Sequence, residues 1–150
     1  MARNTILVVD DDPADTALIK HVLGASKIRN PIQSVGDGEQ AIAYLKGEGI
    51  YAHRESYPYP ILLLLDLKMP IKTGFDVLEW LQHQPKPFGM AVVVLTGATD
   101  TRELNRAYQL GAHSFLMKPL ESEELMNLIN GLKSLRVEPG DEGLQLHPVS

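Results

Sequence analysis

Short apolar runs alternate with amphipathic segments along most of the chain. The third run, Ile61 to Leu65, is continuously apolar. A continuous run of this length indicates a strand buried on both faces, as in a parallel sheet covered by helices. The pattern predicts five strands, at residues 5–9, 31–35, 61–65, 90–95 and 112–117.

Between these strands, apolar residues recur at helical spacing and predict five helices. Asp12 is a suitable N-cap for the first helix, with Pro13 as its first residue. Strands that alternate with helices predict an open, doubly wound α/β fold with helices on both faces of the sheet. The residues that mark these helices are Ala14, Ala17, Leu18 and Val22 in the first, Ala41, Ile42 and Leu45 in the second, Phe75, Leu78 and Leu81 in the third, Leu104, Ala107 and Tyr108 in the fourth, and Leu125, Leu128, Ile129, Leu132 and Leu135 in the fifth.

Two segments fall outside this alternation. Residues 47–60 contain three tyrosines and two prolines and predict a loop longer than the usual connection. From Val137 onward, several prolines and glycines predict an irregular tail. We therefore expect one domain over residues 1–136, and a tail over 137–150 that is a candidate dimer or partner contact.

Composition narrows the class of protein. A chain of 150 residues suits one domain, and it has no cysteine, which excludes a disulfide framework and a thiol catalyst. The net charge is −5 with no run of Lys or Arg, so nucleic-acid binding has no electrostatic support. The longest apolar run is far shorter than the ~20 residues of a membrane helix. We expect a cytoplasmic protein with no membrane or nucleic-acid contact.

Polar residues that can carry chemistry follow four of the five predicted strands. In open α/β sheets, ligands bind beyond the carboxyl ends of the strands. Closely packed carboxylates repel each other, and a hard divalent cation such as Mg²⁺ relieves that repulsion. A phosphoryl group could be transferred to a carboxylate there and held by an ammonium and a hydroxyl. The residues at these strand ends are Asp10, Asp11 and Asp12, then Asp66, Thr96 and Lys118.

These residues give the chain a specific resemblance to the receiver domains of two-component response regulators. It extends over about residues 5–136 and implies a flavodoxin-like sheet in the strand order 2-1-3-4-5. The matching motifs are the acidic pair Asp10-Asp11, the D-x-x-x-P-x-x-x-G pattern of Asp66, Pro70 and Gly74, the pair Thr96-Gly97, and Phe115 with Lys118-Pro119.

The resemblance implies a role for each of these positions. The family's phosphoacceptor corresponds to Asp66, its phosphoryl-binding cation to Lys118 and its switch hydroxyl to Thr96. Its aromatic switch corresponds to Phe115, which is also a plausible core residue. The Mg²⁺ ligands implied are Asp11, Asp66, the backbone carbonyl of Lys68 and, through water, Asp10. The protein would then be a phosphoacceptor rather than a conventional enzyme, catalysing its own phosphorylation and dephosphorylation. We interpret Asp12 as a helix cap and Asp15 as a surface residue.

The resemblance also implies how the signal arrives and leaves. The partner would be a histidine kinase or a phosphotransfer protein, and the output a protein–protein surface of the fourth helix, fifth strand and fifth helix. Arg102, Arg106 and Tyr108 are candidate surface residues there, and a homodimer is a further candidate. With its long loop at 47–60, which closes in Tyr57-Pro58-Tyr59-Pro60, and with Asp12-Pro13-Ala14-Asp15 after the first strand, the chain resembles the small stand-alone regulators that partner bacterial phytochrome kinases.

Three other interpretations fit less well. A haloacid-dehalogenase phosphatase needs a second Asp two residues after its nucleophile, where this chain has Lys68. A flavodoxin-like flavin carrier needs a Ser/Thr/Gly-rich phosphate loop after the first strand, where three aspartates stand. A docking domain that needs no phosphorylation has no reason to keep a costly acidic pocket.

Overall fold

The computed structural model describes residues 4–85, 90–97 and 101–149. Its strands are β1 (Thr5–Val9), β2 (Ile32–Val35), β3 (Pro60–Asp66), β4 (Ala91–Thr96), β5 (Ser114–Met117), β6 (Leu135–Pro139) and β7 (Leu144–Pro148). Its helices are α1 (Pro13–Ala25), α2 (Gly38–Lys46), α3 (Gly74–Gln82), α4 (Thr101–Gln109) and α5 (Ser122–Gly131), with a short 3₁₀ helix at Gly49–Ala52. None of the helices in these ranges combines the length and the apolar composition of a membrane span.

Five of the strands form one parallel sheet in the order β2-β1-β3-β4-β5. Every residue of β3 is buried, because β1 and β4 flank it and helices cover both faces. The predicted fold class and strand order are therefore confirmed.

The core lies in two layers, one on each side of the sheet. One layer packs α1 and α5 against the sheet, and the other packs α2, α3 and the single buried residue of α4, Ala107. Parallel strands put all their carboxyl ends at one edge. The fold thus brings together the polar residues that follow β1, β3, β4 and β5.

The predicted caps and faces of the helices are confirmed in part. The Asp12 side chain caps α1 by accepting a hydrogen bond from the backbone N–H of Ala14 at 2.8 Å. The apolar face predicted for α1, however, is confirmed only at Val22: Ile19 and Leu23 are buried with it, whereas Ala14 and Ala17 are exposed and Leu18 is 37% exposed. Leu18 and Leu23 lie on different sides of α1. Only one side can face the sheet, so Leu18 stays at the surface. In α4, Tyr108 is 43% exposed and is not core.

The C-terminal segment corrects the prediction of an irregular tail over 137–150. Strands β6 and β7 form an antiparallel hairpin. Leu135 and Leu146 belong to the core layer beneath α1 and α5. The buried side chain of Asn30 holds β7, donating to the carbonyl of Leu146 at 2.9 Å and accepting from its N–H at 2.7 Å.

The segment between α2 and β3 is long, as predicted, and its contacts are well defined. The guanidinium of Arg54 donates hydrogen bonds to the carbonyls of Tyr44, Leu45 and Tyr57, at 2.8, 2.9 and 3.1 Å. The rings of Tyr44, Tyr51 and Tyr57 pack together with centroids 5.0–6.0 Å apart. The loop precedes β3, so it lies at the opposite edge of the sheet from the acidic residues.

Candidate phosphoacceptor and cation site

Four strand ends bring one ammonium and several carboxylates together, as predicted. The Lys118 Nζ lies 2.7 Å from Asp10 Oδ2 and 3.4 Å from Asp66 Oδ2. Thr96 ends β4 and is buried, and its carbonyl accepts the backbone N–H of Lys118 at 2.8 Å. The structure therefore brings Asp10, Asp66, Thr96 and Lys118 to one place.

Local backbone contacts fix the orientation of the two buried carboxylates. Asp10 Oδ1 accepts the N–H of Asp12 at 2.9 Å, and Asp66 Oδ1 accepts the N–H of Lys68 at 3.1 Å. In both residues, the turn after the strand thus holds Oδ1 in a hydrogen bond, and Oδ2 faces Lys118. Position 74 requires glycine, because a Cβ there would clash with the backbone oxygen of Asp66.

Burial and the neighbouring charges set the protonation of the site. Burial raises the pKa of Asp66 to about 6, against the opposing effects of the Lys68 N–H and of Lys118. Burial alone would lower the pKa of Lys118, but its hydrogen bonds to Asp10 and Asp15 outweigh that effect and raise the pKa. At neutral pH, Asp66 is mostly ionised and Lys118 is charged.

The carboxylates of Asp10, Asp11 and Asp66 have the character of a cation site. Their oxygens lie within 4.8 Å of one another, with Asp10 and Asp66 buried and Asp11 exposed. The two buried carboxylates and the exposed third carry more negative charge than the single ammonium of Lys118 can balance. A hard divalent cation with oxygen ligands and retained water fits this donor set.

One residue of the site was missed in the sequence-based prediction. Asp15, interpreted there as a surface residue, accepts a hydrogen bond from Lys118 Nζ at 2.9 Å. It lies in the first turn of α1, which begins directly at the acidic edge. The signal was available, because one helical turn returns residue 15 to the side of the helix that starts beside Asp10 and Asp11.

The predicted switch residue and its neighbours lie along β5 and α4. Phe115 is half-buried, and its ring meets that of Tyr108 edge-on with centroids 6.4 Å apart.

Lys68, an exposed residue, forms an ion pair with Glu103 of α4, with a separation of 3.6 Å. Gly97 follows β4 and is exposed. The neighbouring Ala98 lies outside the described residues.

Comparison with known proteins places the chain in a family. The model of the response regulator receiver domain matches residues 6–130, and the chain belongs to this family. It is 34% identical to the response regulator Rcp1 of a Synechocystis strain over 89% of this chain and 88% of that protein.

Solved structures of similar proteins agree in fold and in sequence. The bacteriophytochrome response regulator RtBRR has a TM-score of 0.82 at 32% identity, covering 95% of this chain and 84% of that one. The Mn²⁺-bound form of Rcp1 has a TM-score of 0.70 at 34% identity, covering 87% and 92%. The phosphorylated cyanobacterial phytochrome response regulator RcpA has a TM-score of 0.72 at 32% identity, covering 89% and 93%. The resemblance to regulators of bacterial phytochromes is confirmed.

Proposed function

We propose that this protein is a two-component response regulator that receives a phosphoryl group on Asp66 from a histidine kinase. The observation that carries the proposal is the position of the Asp66 carboxylate. It is buried at the carboxyl edge of the sheet, beside two more carboxylates and within 3.4 Å of the Lys118 ammonium. Membership of the receiver family supports the same assignment.

The side chains at this edge have distinct tasks in the transfer. Because Asp66 Oδ1 is occupied by the N–H of Lys68, Oδ2 is the oxygen that forms the bond to phosphorus as the phosphorus–nitrogen bond of a phosphohistidine breaks. Lys118 faces that oxygen and donates a charged hydrogen bond to the incoming phosphoryl group. The hydroxyl of Thr96 offers a further donor from the end of β4. Water then hydrolyses the acyl phosphate and returns the site to its first state.

A divalent cation, for which Mg²⁺ is our candidate, completes the site. Asp10, Asp11, Asp66 and the backbone carbonyl of Lys68 would hold it, with Asp10 acting directly or through water. When bound, the ion neutralises negative charge on the transferring group and on the carboxylates. The chain's own residues supply the rest: they present oxygen ligands from two strand ends and keep Lys118 beside them.

The signal leaves, in this proposal, through the surface formed by α4, β5 and α5. Phosphorylation adds charge that attracts Thr96 and Lys118, and Phe115 follows Thr96. Phe115 contacts Tyr108 of α4, and the guanidinium of Arg106 lies 4.5 Å from the ring centroid of Phe75. The contact of Phe115 with Tyr108 is the route by which a change at Thr96 would reach an exposed side chain of α4.

The input partner we propose is a kinase of the bacterial phytochrome type. The support is the similarity to RtBRR, Rcp1 and RcpA, which are all named as response regulators, two of them as regulators of phytochromes. A phosphotransfer protein is the alternative donor. A homodimer and a cytoplasmic location stay predictions.

The first test is the mass of the intact protein after incubation with a small phosphodonor. We expect the gain of one phosphoryl group in the presence of Mg²⁺, and none with EDTA or in Asp66→Asn, which keeps the hydrogen bond from Lys68. The matched control is Asp76→Asn, an exposed carboxylate in the first turn of α3. A folded protein that binds Mg²⁺ and gains no mass, even with its purified kinase, would favour a docking domain that needs no phosphorylation.

A further inference from the structure

Lys118 is shared among three carboxylates rather than two. Its Nζ lies 2.7 Å from Asp10, 2.9 Å from Asp15 and 3.4 Å from Asp66. The three side chains differ in burial, since Asp10 is wholly buried and Asp66 almost so, whereas Asp15 is 36% exposed. The two close contacts are those with Asp10 and Asp15, so Asp15 competes directly for the ammonium.

The three carboxylates also differ in their relation to the cation site. Asp10 and Asp66 belong to the group that can hold a metal ion, together with Asp11, whereas Asp15 does not. A cation at that group and the Lys118 ammonium therefore compete for the same two buried carboxylates. Two positive groups held at one pair of carboxylates repel each other, and this repulsion is strong where water is excluded.

We propose that Asp15 is a positioning residue that shares the Lys118 ammonium with Asp10 and so limits its competition with the divalent cation. Asp15 holds the ammonium at the side of the site formed by α1. Lys118 then stays close enough to contact a phosphoryl group, while part of its charge is balanced by a carboxylate outside the cation group. The inference rests on the function proposed above and adds to it a residue that acts through Lys118.

The placement of Asp15 suits this task. It lies in the first turn of α1, where the positive end of the helix dipole favours a carboxylate. Together with Lys118, Pro119 and Leu120 it lines a shallow groove between α1 and the segment after β5. Its contact with Lys118 therefore joins two elements that approach the site from different sides.

The experiment measures Mg²⁺ affinity by calorimetry for the wild type and Asp15→Asn. The amide keeps the size of the side chain and an acceptor oxygen but loses its charge, so Lys118 shifts toward Asp10 and Asp66. We expect the dissociation constant for Mg²⁺ to rise about fivefold. Thermal unfolding in EDTA verifies that the variant is folded, and Asp15→Ser provides a second variant with a smaller side chain.

A matched control separates this role from a general loss of negative charge. Asp12→Asn removes one charge from the same end of α1 and keeps a good N-cap. Within the described residues, Asp12 forms no ion pair with Lys118. We expect the affinity of this variant to fall less than about twofold, because an exposed charge is screened.

The decisive comparison uses the background Lys118→Gln, in which there is no ammonium to hold. There, Asp15→Asn should weaken Mg²⁺ binding no more than Asp12→Asn does. An equal effect of Asp15→Asn with and without Lys118, or an effect equal to that of Asp12→Asn in the wild-type background, overturns the inference. A wild-type protein that binds no Mg²⁺ overturns the proposed function as well, so the two failures are distinct.

Discussion

At the scale of single residues, the burial of carboxylates close together makes their ionisation unfavourable in the absence of a bound ligand. Asp66 is buried with a pKa of about 6, well above its ordinary value of 3.8. Between these two pH values the unfolded chain loses the proton and the folded chain keeps it. Stability therefore falls as the pH rises from about 4 to about 6, and the loss is complete above that range.

This predicts that Asp66→Asn stabilises the metal-free protein. In EDTA at pH 7.5, we expect the free energy of unfolding to increase by about 2 kcal/mol, since the amide never has to ionise in a buried place. The gain should shrink as the pH falls from 6 toward 4, because wild-type Asp66 is then protonated. Denaturant unfolding at several pH values measures it, with Asp141→Asn, an exposed carboxylate outside this cluster, as the control. A gain of equal size at pH 4.5 and 7.5 would show that the ionisation of Asp66 is not its cause.

Single residues also show which parts of the site can be predicted from the sequence. The strand ends assembled Asp10, Asp66, Thr96 and Lys118 as expected, because parallel strands put their carboxyl ends at one edge. Asp15 was missed because the prediction considered the residues at the strand ends, whereas Asp15 lies in the first turn of α1. A motif that describes strand ends contains no position for a residue in the first turn of a helix.

At the scale of elements, strands were predicted better than helix faces. For a strand buried on both faces, the prediction does not have to decide which side faces the solvent. β3 and β4 are such strands, buried at every position. α1 instead carries apolar residues around much of its circumference, so its orientation depends on the partner. Contacts with the sheet and α5 select Ile19 and Leu23, and Leu18 is left at the surface.

The loop between α2 and β3 provides a prediction at this scale. Arg54→Met should lower the free energy of unfolding by about 3 kcal/mol, because the carbonyls of Tyr44, Leu45 and Tyr57 lose a charged donor. Denaturant unfolding measures this, with the exposed neighbour Glu55→Ala as the control. Phosphorylation of Asp66 should keep its rate, since the loop lies at the other edge of the sheet. An unchanged stability would show that water replaces the guanidinium without cost.

At the scale of the whole molecule, the C-terminal hairpin changes where the domain ends. The prolines and glycines after residue 136 were interpreted as signs of an irregular tail, yet they form the turn and the ends of β6 and β7. Alternating apolar residues within the segment, Val137 on one strand and Leu144 and Leu146 on the other, were the signal of a hairpin. It was weak because the strands are short and rich in proline.

If the hairpin belongs to the core, its buried residues must contribute to the stability of the whole receiver fold. Leu146 is fully buried in the layer beneath α1 and α5, and the Asn30 side chain holds its backbone on both sides. Leu146→Ala should therefore lower the free energy of unfolding by about 3 kcal/mol in one cooperative transition. Gln145→Ala, its half-buried neighbour, should change little. A separate early transition in Leu146→Ala, with the main one unmoved, would instead mean that the hairpin folds independently and that the domain ends near residue 134.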